Sequence, residues 1–283
     1  MPSSLATPRN EAISTKEFRL FQTLVYREAG ISLSDQKRAL LVGRLAPRLR
    51  ELALDSFSAY FDRVSADREE LVRMIDSVCT NETQFFREPK QFAFLENEVI
   101  PRWREEAERG QRRREVRVWS AGCSTGEEPY SIAMSLAANL PDWSIDIMAT
   151  DISTKALARA SAGVWLIERG AQIPVHYRKA FMLRGSGPQE GKMAARPELS
   201  ALIRFARVNL NHESYPITGQ FDLIFCRNVL IYFDAPSKRR VIDRLLDRLD
   251  PRGYFFLGHS ESLNMFDRVR AAGPTVYALK EPR

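Results

Sequence analysis

The segment from Val116 to Ser131, VRVWSAGCSTGEEPYS, constrains the fold of this chain more than any other. An apolar run typical of a β-strand leads into a loop of small residues and then into a helical pattern. Gly122 and Gly126 allow the loop backbone to approach a ligand without an intervening Cβ. Because ligands of open α/β sheets bind at the carboxyl ends of the strands, the segment predicts a nucleotide-like ligand at this loop. A purely structural turn is the alternative.

The helix after this loop has its own start signal. Thr125 and Glu128 have the T-x-x-E spacing of a capping box, and Pro129 suits a first helical turn. The sequence therefore predicts a helix that begins beside the ligand loop with a reciprocal Thr125–Glu128 cap.

Short β-type runs alternate with helical patterns from residue 115 onward. The runs are Val116 to Ser120, Ser144 to Ala149, Phe221 to Cys226 and Tyr254 to Gly258. This alternation predicts a mostly parallel sheet with helices on both faces, the doubly wound α/β class. Glycines between Phe181 and Asn209 predict a small antiparallel insertion at about residues 180–207.

The chain before this alternation has a helical pattern. From Thr15 to about Val78 apolar residues recur at helical spacing, and strand patterns are lacking. One stripe contains Phe18, Phe21, Leu24 and Val25, and a second contains Leu40, Leu41, Leu45, Leu49 and Leu52. We expect a helical domain over residues 1–82 and a ligand-binding domain over residues 83–283.

Composition narrows the classes of function. A net charge of +6 and a pI of about 9.3 favour an acidic partner, such as nucleic acid, a membrane surface or an acidic protein. The three cysteines and three histidines are scattered singly, so we expect no disulfide framework and no metal site. Neither a secretory signal nor an apolar run of the roughly 20 residues that span a bilayer is present, so we expect a cytoplasmic protein.

Asp151 closes the second strand, in the segment IDIMATDIS. An acidic residue at this place can accept hydrogen bonds from both ribose hydroxyls, in a nicotinamide cofactor as well as in S-adenosylmethionine. The preceding loop lacks the G-x-G-x-x-G pattern that favours a diphosphate. Glu127 in the same loop disfavours a phosphate but tolerates a cationic amino-acid group. These features favour S-adenosylmethionine.

Taken together, the motifs resemble the chemotaxis receptor glutamate methyltransferases, the CheR family. The resemblance covers nearly the whole chain, and its motifs occur in the family's order. They are TNETQFFRE (Thr80 to Glu88), WSAGCSTGEEPYS (Trp119 to Ser131), ATDIS (Ala149 to Ser153), RGSGPQEG (Arg184 to Gly191), VNL (Val208 to Leu210), FCRNVLIYF (Phe225 to Phe233) and GHSES (Gly258 to Ser262).

This resemblance implies a Rossmann-like class I methyltransferase domain, a helical N-terminal domain and an inserted β-subdomain. It also implies transfer of a methyl group from S-adenosylmethionine to receptor glutamates, with S-adenosylhomocysteine as product. The residues it implies at the cofactor are Asn81, Thr83, Arg87 and Glu127 at the methionine end, Asp151 at the ribose, Asn209 and Leu210 at the adenine, and Arg227 and Asn228 along the same cleft. Arg87 and Tyr232 would lie nearest the transferred methyl as catalytic residues. For Arg87, a surface ion pair with Glu82 or Glu88 is the alternative.

The second predicted helix carries Lys37, Arg44 and Arg48 at spacings of seven and four residues. We expect these side chains on one side, opposite the leucine stripe, as a basic ridge. In the family the corresponding helix faces the helical bundle of the receptor, so the ridge would bind substrate. A solvated helix face is the alternative. The glycine-rich insertion resembles a subdomain that receives a receptor C-terminal tail in some family members, and a plain hairpin is equally open.

Two other functions compete with this interpretation. A nucleic-acid methyltransferase would suit the basic pI, but the segment CRNVLIYF lacks both the Asp/Asn-Pro-Pro-aromatic stretch of amino methylation and the Pro-Cys nucleophile of C5 methylation. We therefore expect no nucleic-acid substrate. A non-catalytic module that binds cofactor and receptor as a sensor stays open. A monomer is expected.

Overall fold

The computed structural model describes residues 13–263 and 266–280. These residues form two compact units. The helical unit contains the described residues up to Thr80 together with Tyr232–Asp234, and the α/β unit contains Asn81–Ile231 and the described residues from Ala235 onward.

Within its described residues, the helical unit is built from α1 (Thr15–Ala29), α2 (Arg38–Glu51), α3 (Phe57–Ala66) and α4 (Arg68–Val78). Ser14 and Glu17 form a capping box at the start of α1, and Gly30, with a left-handed φ of 72°, ends it. Asp67 accepts hydrogen bonds from the backbone N–H groups of Glu69 and Glu70 and so begins α4. Local sequence signals therefore set both ends of α1 and the start of α4.

The predicted apolar stripe of α1 is buried, whereas that of α2 is narrower than predicted. Leu41, Leu45 and Leu49 are buried, but the side chain of Leu40 is 46% exposed. Leu40 lies one residue, about 100°, from Leu41 around the helix and cannot share its face.

Tyr232–Asp234 returns to the helical unit. The backbone N–H of Ser32 donates to the carbonyl of Tyr232 (2.8 Å), and the Tyr26 hydroxyl donates to the Asp234 carboxylate (2.8 Å). This short segment, which follows the third predicted strand in the sequence, is thereby part of the helical unit.

The described residues of the α/β unit form a seven-stranded sheet in the order β6-β2-β1-β7-β8-β10-β9 and a separate three-stranded sheet in the order β3-β5-β4. The strands are β1 (Glu115–Ala121), β2 (Ser144–Asp151), β3 (Val164–Leu166), β4 (Met182–Arg184), β5 (Lys192–Ala195), β6 (Ile203–Arg207), β7 (Phe221–Cys226), β8 (Leu249–Leu257), β9 (Val269–Gly273) and β10 (Val276–Leu279). Strands β6, β2, β1, β7 and β8 pair in parallel, and β10 and β9 continue the sheet antiparallel.

The order of the parallel strands reverses at β1, which has β2 on one side and β7 on the other. In open α/β sheets such a reversal opens a crevice at the carboxyl ends of the strands. The helices of the unit are α5 (Pro89–Phe94), α6 (Ile100–Glu108), α7 (Glu127–Asn139), α8 (Thr154–Ala162), α9 (Val175–Phe181), α10 (Pro197–Ser200) and α11 (Ala235–Leu246), with a π-helical segment, Leu95–Val99, joining α5 to α6. The predicted doubly wound α/β class is confirmed, and the crevice at β1 is where the predicted ligand loop begins.

The small sheet confirms the predicted antiparallel insertion but corrects its extent. Its first strand, β3, precedes residue 180, and β6, which lies within the predicted range 180–207, is an edge strand of the large sheet. The reason is that β6 pairs with β2 from Ile147↔Ile203 to Asp151↔Arg207, which places its carboxyl end beside Asp151.

Candidate active site

The loop between β1 and α7 is held against the neighbouring strand. The backbone N–H groups of Gly122 and Cys123 both donate to the carbonyl of Thr150 (2.8 and 2.9 Å). Gly122 has a φ of 91°, and a Cβ at this position would lie 2.3 Å from Cγ2 of Val229, in the loop after β7. Glycine is therefore required here, because the loops after β1 and β7 meet without space for a side chain.

The predicted capping box at the start of α7 is wrong. Gly126, in a left-handed conformation, precedes the helix, and no side chain caps it. The Thr125 hydroxyl donates instead to the Glu127 carboxylate (2.6 Å). Glu128 accepts hydrogen bonds from the Ser120 hydroxyl and from Arg227. The Glu128 carboxylate, which would have closed the cap, is thus hydrogen-bonded to buried side chains instead.

Asp151, at the end of β2, has a buried and fixed carboxylate. Its Oδ2 accepts from the backbone N–H of Ser124 (2.8 Å), and its Oδ1 accepts from that of Ser153 (2.9 Å). These bonds hold the carboxylate at the end of β2, the position at which an acidic residue accepts ribose hydroxyls in such sheets. Asn209 and Leu210 follow Val208, the first residue after β6, whose backbone N–H donates to the Asp151 carbonyl (3.0 Å). The predicted ribose and adenine residues therefore lie together at the carboxyl-terminal edge of the sheet, where the parallel strands end.

The segment Asn81 to Glu88 is fastened to the same edge. The Ser124 hydroxyl donates to the Asn81 carbonyl (3.1 Å), and Arg169 donates to the Thr83 carbonyl (2.6 Å). Among the described residues, six non-glycine residues have positive φ, and four of them lie in this segment or in the adjoining loops: Phe86, Glu88, Ser124 and Asn228. Left-handed backbone at side-chain-bearing residues is strained and clusters at functional sites.

Arg87, in this segment, is half-buried and weakly held. Its guanidinium donates to the backbone carbonyl of Glu82 (3.2 Å), and within the described residues it forms no ion pair. The alternative pairings with Glu82 or Glu88 carboxylates are absent there, because the Glu88 carboxylate instead accepts from the backbone N–H of His259 (3.0 Å) and lies 3.9 Å from Arg227. A positive charge therefore stands at the site with little internal compensation.

Glu127 is buried, with both carboxylate oxygens engaged. Oε1 accepts from Arg169 (2.6 Å) and Oε2 from the Thr125 hydroxyl (2.6 Å). Arg169 was not predicted, because it lies in a segment without a recognisable motif and its only signal is its charge. We call the Glu127–Arg169 pair the clasp.

Arg227 is buried, and its guanidinium binds other groups of the protein. Its guanidinium donates to Glu128 (2.6 Å), to the Arg87 carbonyl (2.5 Å) and to the Gln91 side-chain oxygen (3.1 Å). It also lies 5.6 Å from the ring centroids of Phe92 and Phe225. We call the Glu128–Arg227 pair the brace, since it fixes the segment containing Arg87 to the central strands.

Asn228 follows with a φ of 59°. Its N–H donates to Oε2 of Glu261 (2.9 Å), which also accepts from the N–H of Gly258 (2.9 Å). Burial raises the pKa of Glu261. Its role was not predicted, although it lies in the quoted motif GHSES. Within the described residues the buried Oδ1 of Asn228 has no hydrogen-bond partner, and such an orphaned acceptor suits a ligand donor.

Four predicted residues belong to the helical unit: Tyr232, Lys37, Arg44 and Arg48. The ammonium of Lys37 lies 5.7 Å from the ring centroid of Tyr232. Arg44 donates to the Val78 carbonyl and to the Thr80 hydroxyl, and Arg48 binds both oxygens of the Glu70 carboxylate (2.8 and 2.6 Å).

The predicted placement opposite the leucine stripe is therefore wrong for Arg44 and Arg48, while their contact with substrate stays a prediction. At 100° per residue their side lies roughly a quarter turn from the buried leucines, so both guanidiniums reach partners inside the unit. The substrate contact of Lys37 stays a prediction.

Across residues 13–263 and 266–280, no group of His, Cys, Asp and Glu side chains has the arrangement of a metal site, and no helix could cross a membrane. The residues at the sheet edge suit a zwitterionic nucleoside. Asp151 offers acceptors to a ribose, Glu127 offers a buried carboxylate that already holds a cation, and the orphaned Oδ1 of Asn228 offers a further acceptor.

Comparison with known proteins agrees with this geometry. Residues 81–277 match the family model "CheR methyltransferase, SAM binding domain", and residues 16–79 match "CheR methyltransferase, all-alpha domain". Chemotaxis protein methyltransferase 2 of Pseudomonas aeruginosa is 40% identical over 285 residues, covering 98% of this chain and 99% of that protein. The chemotaxis protein methyltransferase of Salmonella typhimurium is 39% identical over 280 residues, covering 96% and 93%. That of Escherichia coli is 39% identical over 278 residues, covering 95% and 93%. The chain belongs to the CheR methyltransferase family and is a methyltransferase whose cofactor is S-adenosylmethionine.

Proposed function

We propose that this chain transfers the methyl group of S-adenosylmethionine to glutamate carboxylates of chemoreceptors in the cytoplasm, forming the methyl esters of chemotactic adaptation. The observation that carries the proposal is the match to chemotaxis protein methyltransferases over nearly the full length of both chains. The cluster of Asn81, Thr83, Arg87, Glu127 and Asp151 at one sheet edge supports the same cofactor and reaction.

The chemistry needs positioning more than acid–base catalysis. The bound cofactor supplies an electrophilic methyl on a sulfonium sulfur. A glutamate carboxylate is ionised at neutral pH, so its oxygen can attack without a general base, with the breaking C–S bond leaving its electron pair on sulfur. Orientation of the reactants can supply up to roughly 7–11 kcal/mol.

Arg87 has the properties of a positioning group for the attacking carboxylate. It carries a charge with a single carbonyl partner, and the buried brace holds its backbone in place. Because its guanidinium is not paired with a described carboxylate, it can hold an incoming one without first losing an internal ion pair. Tyr232 is proposed as a second hydrogen-bonding group near that carboxylate.

The two buried thiols do not suit nucleophilic catalysis. Cys226, at the end of β7, and Cys123 are buried, and burial raises the pKa of both. A nucleophilic cysteine, as in C5 methylation of bases, instead needs a stabilised thiolate. This observation argues against C5 methylation of bases.

The proposed partner is the cytoplasmic helical bundle of a chemoreceptor, contacted by Lys37. We further propose that the chain acts as a monomer. A receptor C-terminal tail at the small sheet is a finer hypothesis, supported by the exposed side chains of Leu166 and Leu183 on β3 and β4.

Methyl transfer to receptor membranes tests the proposal. The chain is incubated with radiolabelled S-adenosylmethionine and receptor membranes, and base-labile methyl esters are mapped to glutamates. We expect Arg87→Ala to lower the rate roughly hundredfold, the size of effect that misplacing reactants produces. Arg159→Ala, at an exposed position on α8, is the matched control. Label on nucleic acid would favour the nucleic-acid alternative, and binding without any transfer would favour a sensor. A wild-type rate with Arg87→Ala would remove its catalytic role alone.

A further inference from the structure

The clasp joins two parts of the proposed methionine end of the cofactor site. One nitrogen, Nη2 of Arg169, donates both to Oε1 of Glu127 and to the carbonyl of Thr83, each at 2.6 Å. The Glu127 side chain is 1% exposed, whereas that of Arg169 is 46% exposed. The guanidinium therefore enters the site from solvent and neutralises a carboxylate that the solvent does not reach.

Arg169 is carried by a turn that cannot easily move away. It lies in the 3₁₀ turn Ile167–Gln172, in which the Ile167 N–H donates to the Gly191 carbonyl (2.9 Å). A Cβ at the neighbouring Gly170 would lie 2.6 Å from Sδ of Met193 on β5. The turn is thus packed on the small sheet, and the reach of Arg169 is limited to its own side chain.

Trp165, two residues before this turn, is also anchored at the site. The indole N–H of Trp165 on β3 donates to the Thr125 carbonyl (3.2 Å), and its ring packs edge-on against Phe85 and Tyr130 at centroid distances of 5.1 and 4.9 Å. Segment 165–170 is therefore fixed beside both the Thr83 segment and the loop before α7.

The amino-acid end of S-adenosylmethionine carries one ammonium and one carboxylate. The ammonium would compete with Arg169 for Glu127, because two cations on one buried carboxylate would leave a positive charge without a partner. The released guanidinium stays next to the site, because its turn is anchored, and a carboxylate is its natural bidentate partner. One internal ion pair is then replaced by two with the ligand, without leaving a buried charge unpaired.

We propose that Arg169 is a specificity-determining residue that binds the carboxylate of the cofactor and so selects a zwitterionic amino-acid end. This inference rests on the proposed placement of the methionine end between Glu127 and the segment containing Thr83. Segment 167–172, which packs on the small sheet, then contributes a residue to the cofactor site.

Binding of two ligands to Arg169→Gln tests this inference. S-adenosylmethionine and its decarboxylated analogue share the sulfonium, the nucleoside and the ammonium, and differ in the carboxylate. Their dissociation constants are measured by isothermal titration without receptor, so that no turnover occurs. Arg159→Gln is the control, because it removes the same charge from an exposed position of the same unit.

We expect Arg169→Gln to weaken S-adenosylmethionine about tenfold or more, the scale of a charged hydrogen bond, and to change the analogue less than twofold. Arg169→Lys keeps the charge but loses the bidentate geometry of the guanidinium. Its affinity for S-adenosylmethionine should therefore lie between those of wild type and Arg169→Gln. Equal weakening of both ligands would overturn the inference, because Arg169 would then only hold Glu127 in place. Unchanged or tighter binding of S-adenosylmethionine would overturn it as well, because Arg169 would only compete with the ammonium. Failure of the wild-type chain to bind S-adenosylmethionine would overturn the proposed function itself.

Discussion

Glu127 and Glu128 are adjacent at the start of α7, yet they belong to two different kinds of ion pair. The brace is closed to solvent, with 2% exposure for Arg227 and 9% for Glu128, and the arginine has further partners in the Arg87 carbonyl and Gln91. The clasp is open on one side, because Arg169 is 46% exposed. The same two residue types therefore support the fold in one pair and remain releasable in the other, and the difference lies in the surroundings of the arginine.

The helical unit contains a second pair of the brace type. Arg48 binds Glu70, which is 1% exposed and also accepts the Tyr60 hydroxyl (3.0 Å). Hydrogen bonds from Arg48 lower the pKa of Glu70, and burial raises that of Tyr60. An arginine that was predicted to bind substrate thus has the surroundings of a structural one.

The largest effect should come from opening the brace. Arg227→Met leaves Glu128 buried with only the Ser120 hydroxyl, and losing one partner of a buried pair costs about 3–5 kcal/mol. Arg169→Gln should lower the free energy of unfolding less, because Arg169 is 46% exposed and the glutamine amide can still donate a hydrogen bond to Glu127. Urea unfolding of both variants measures the contrast. Equal losses would show that the two pairs do not differ in kind.

Charge reversal in the helical unit should separate Arg48 from Lys37. Arg48→Glu places a carboxylate beside the buried Glu70, so we expect a loss of about 3 kcal/mol in the free energy of unfolding. Lys37→Glu should change it by no more than about 0.5 kcal/mol, as a surface substitution does, while raising the Michaelis constant for receptor severalfold. Thermal unfolding and receptor kinetics give the two readouts. If Arg48→Glu folded normally, its pairing with Glu70 would not be structural, and unchanged receptor kinetics with Lys37→Glu would exclude its substrate contact.

A smaller, pH-dependent effect is expected at Glu261, a buried carboxylate that accepts backbone N–H groups but has no described ion pair. Because burial raises its pKa above the unfolded value, its ionisation opposes folding as the pH rises above about 4.5. Glu261→Gln keeps an oxygen acceptor but removes the ionisation. The free energy of unfolding of the variant relative to wild type should therefore increase between pH 4 and pH 7, measured by urea titration at each pH. A difference independent of pH would contradict this assignment.

The sequence predicted those features that depend on local pattern. Strand–loop–helix order, the position of Asp151 and the glycine at residue 122 follow from spacing and from the geometry of parallel sheets. The brace and the clasp could not be predicted in this way, because Arg227 and Glu128 are 99 residues apart and Arg169 and Glu127 are 42 apart. Pairing over such distances is set by tertiary packing, which also explains why Glu128 does not form its local cap and why Arg48 does not face solvent.

The central claim is that the edge of the sheet at Asp151 holds S-adenosylmethionine. Titration of S-adenosylhomocysteine into wild type, Asp151→Asn and the exposed control Asp142→Asn tests it most directly. Since charged hydrogen bonds contribute about 1.5–3 kcal/mol each, Asp151→Asn should weaken binding at least tenfold, while Asp142→Asn binds as wild type does. Wild-type affinity of a folded Asp151→Asn variant would contradict the account.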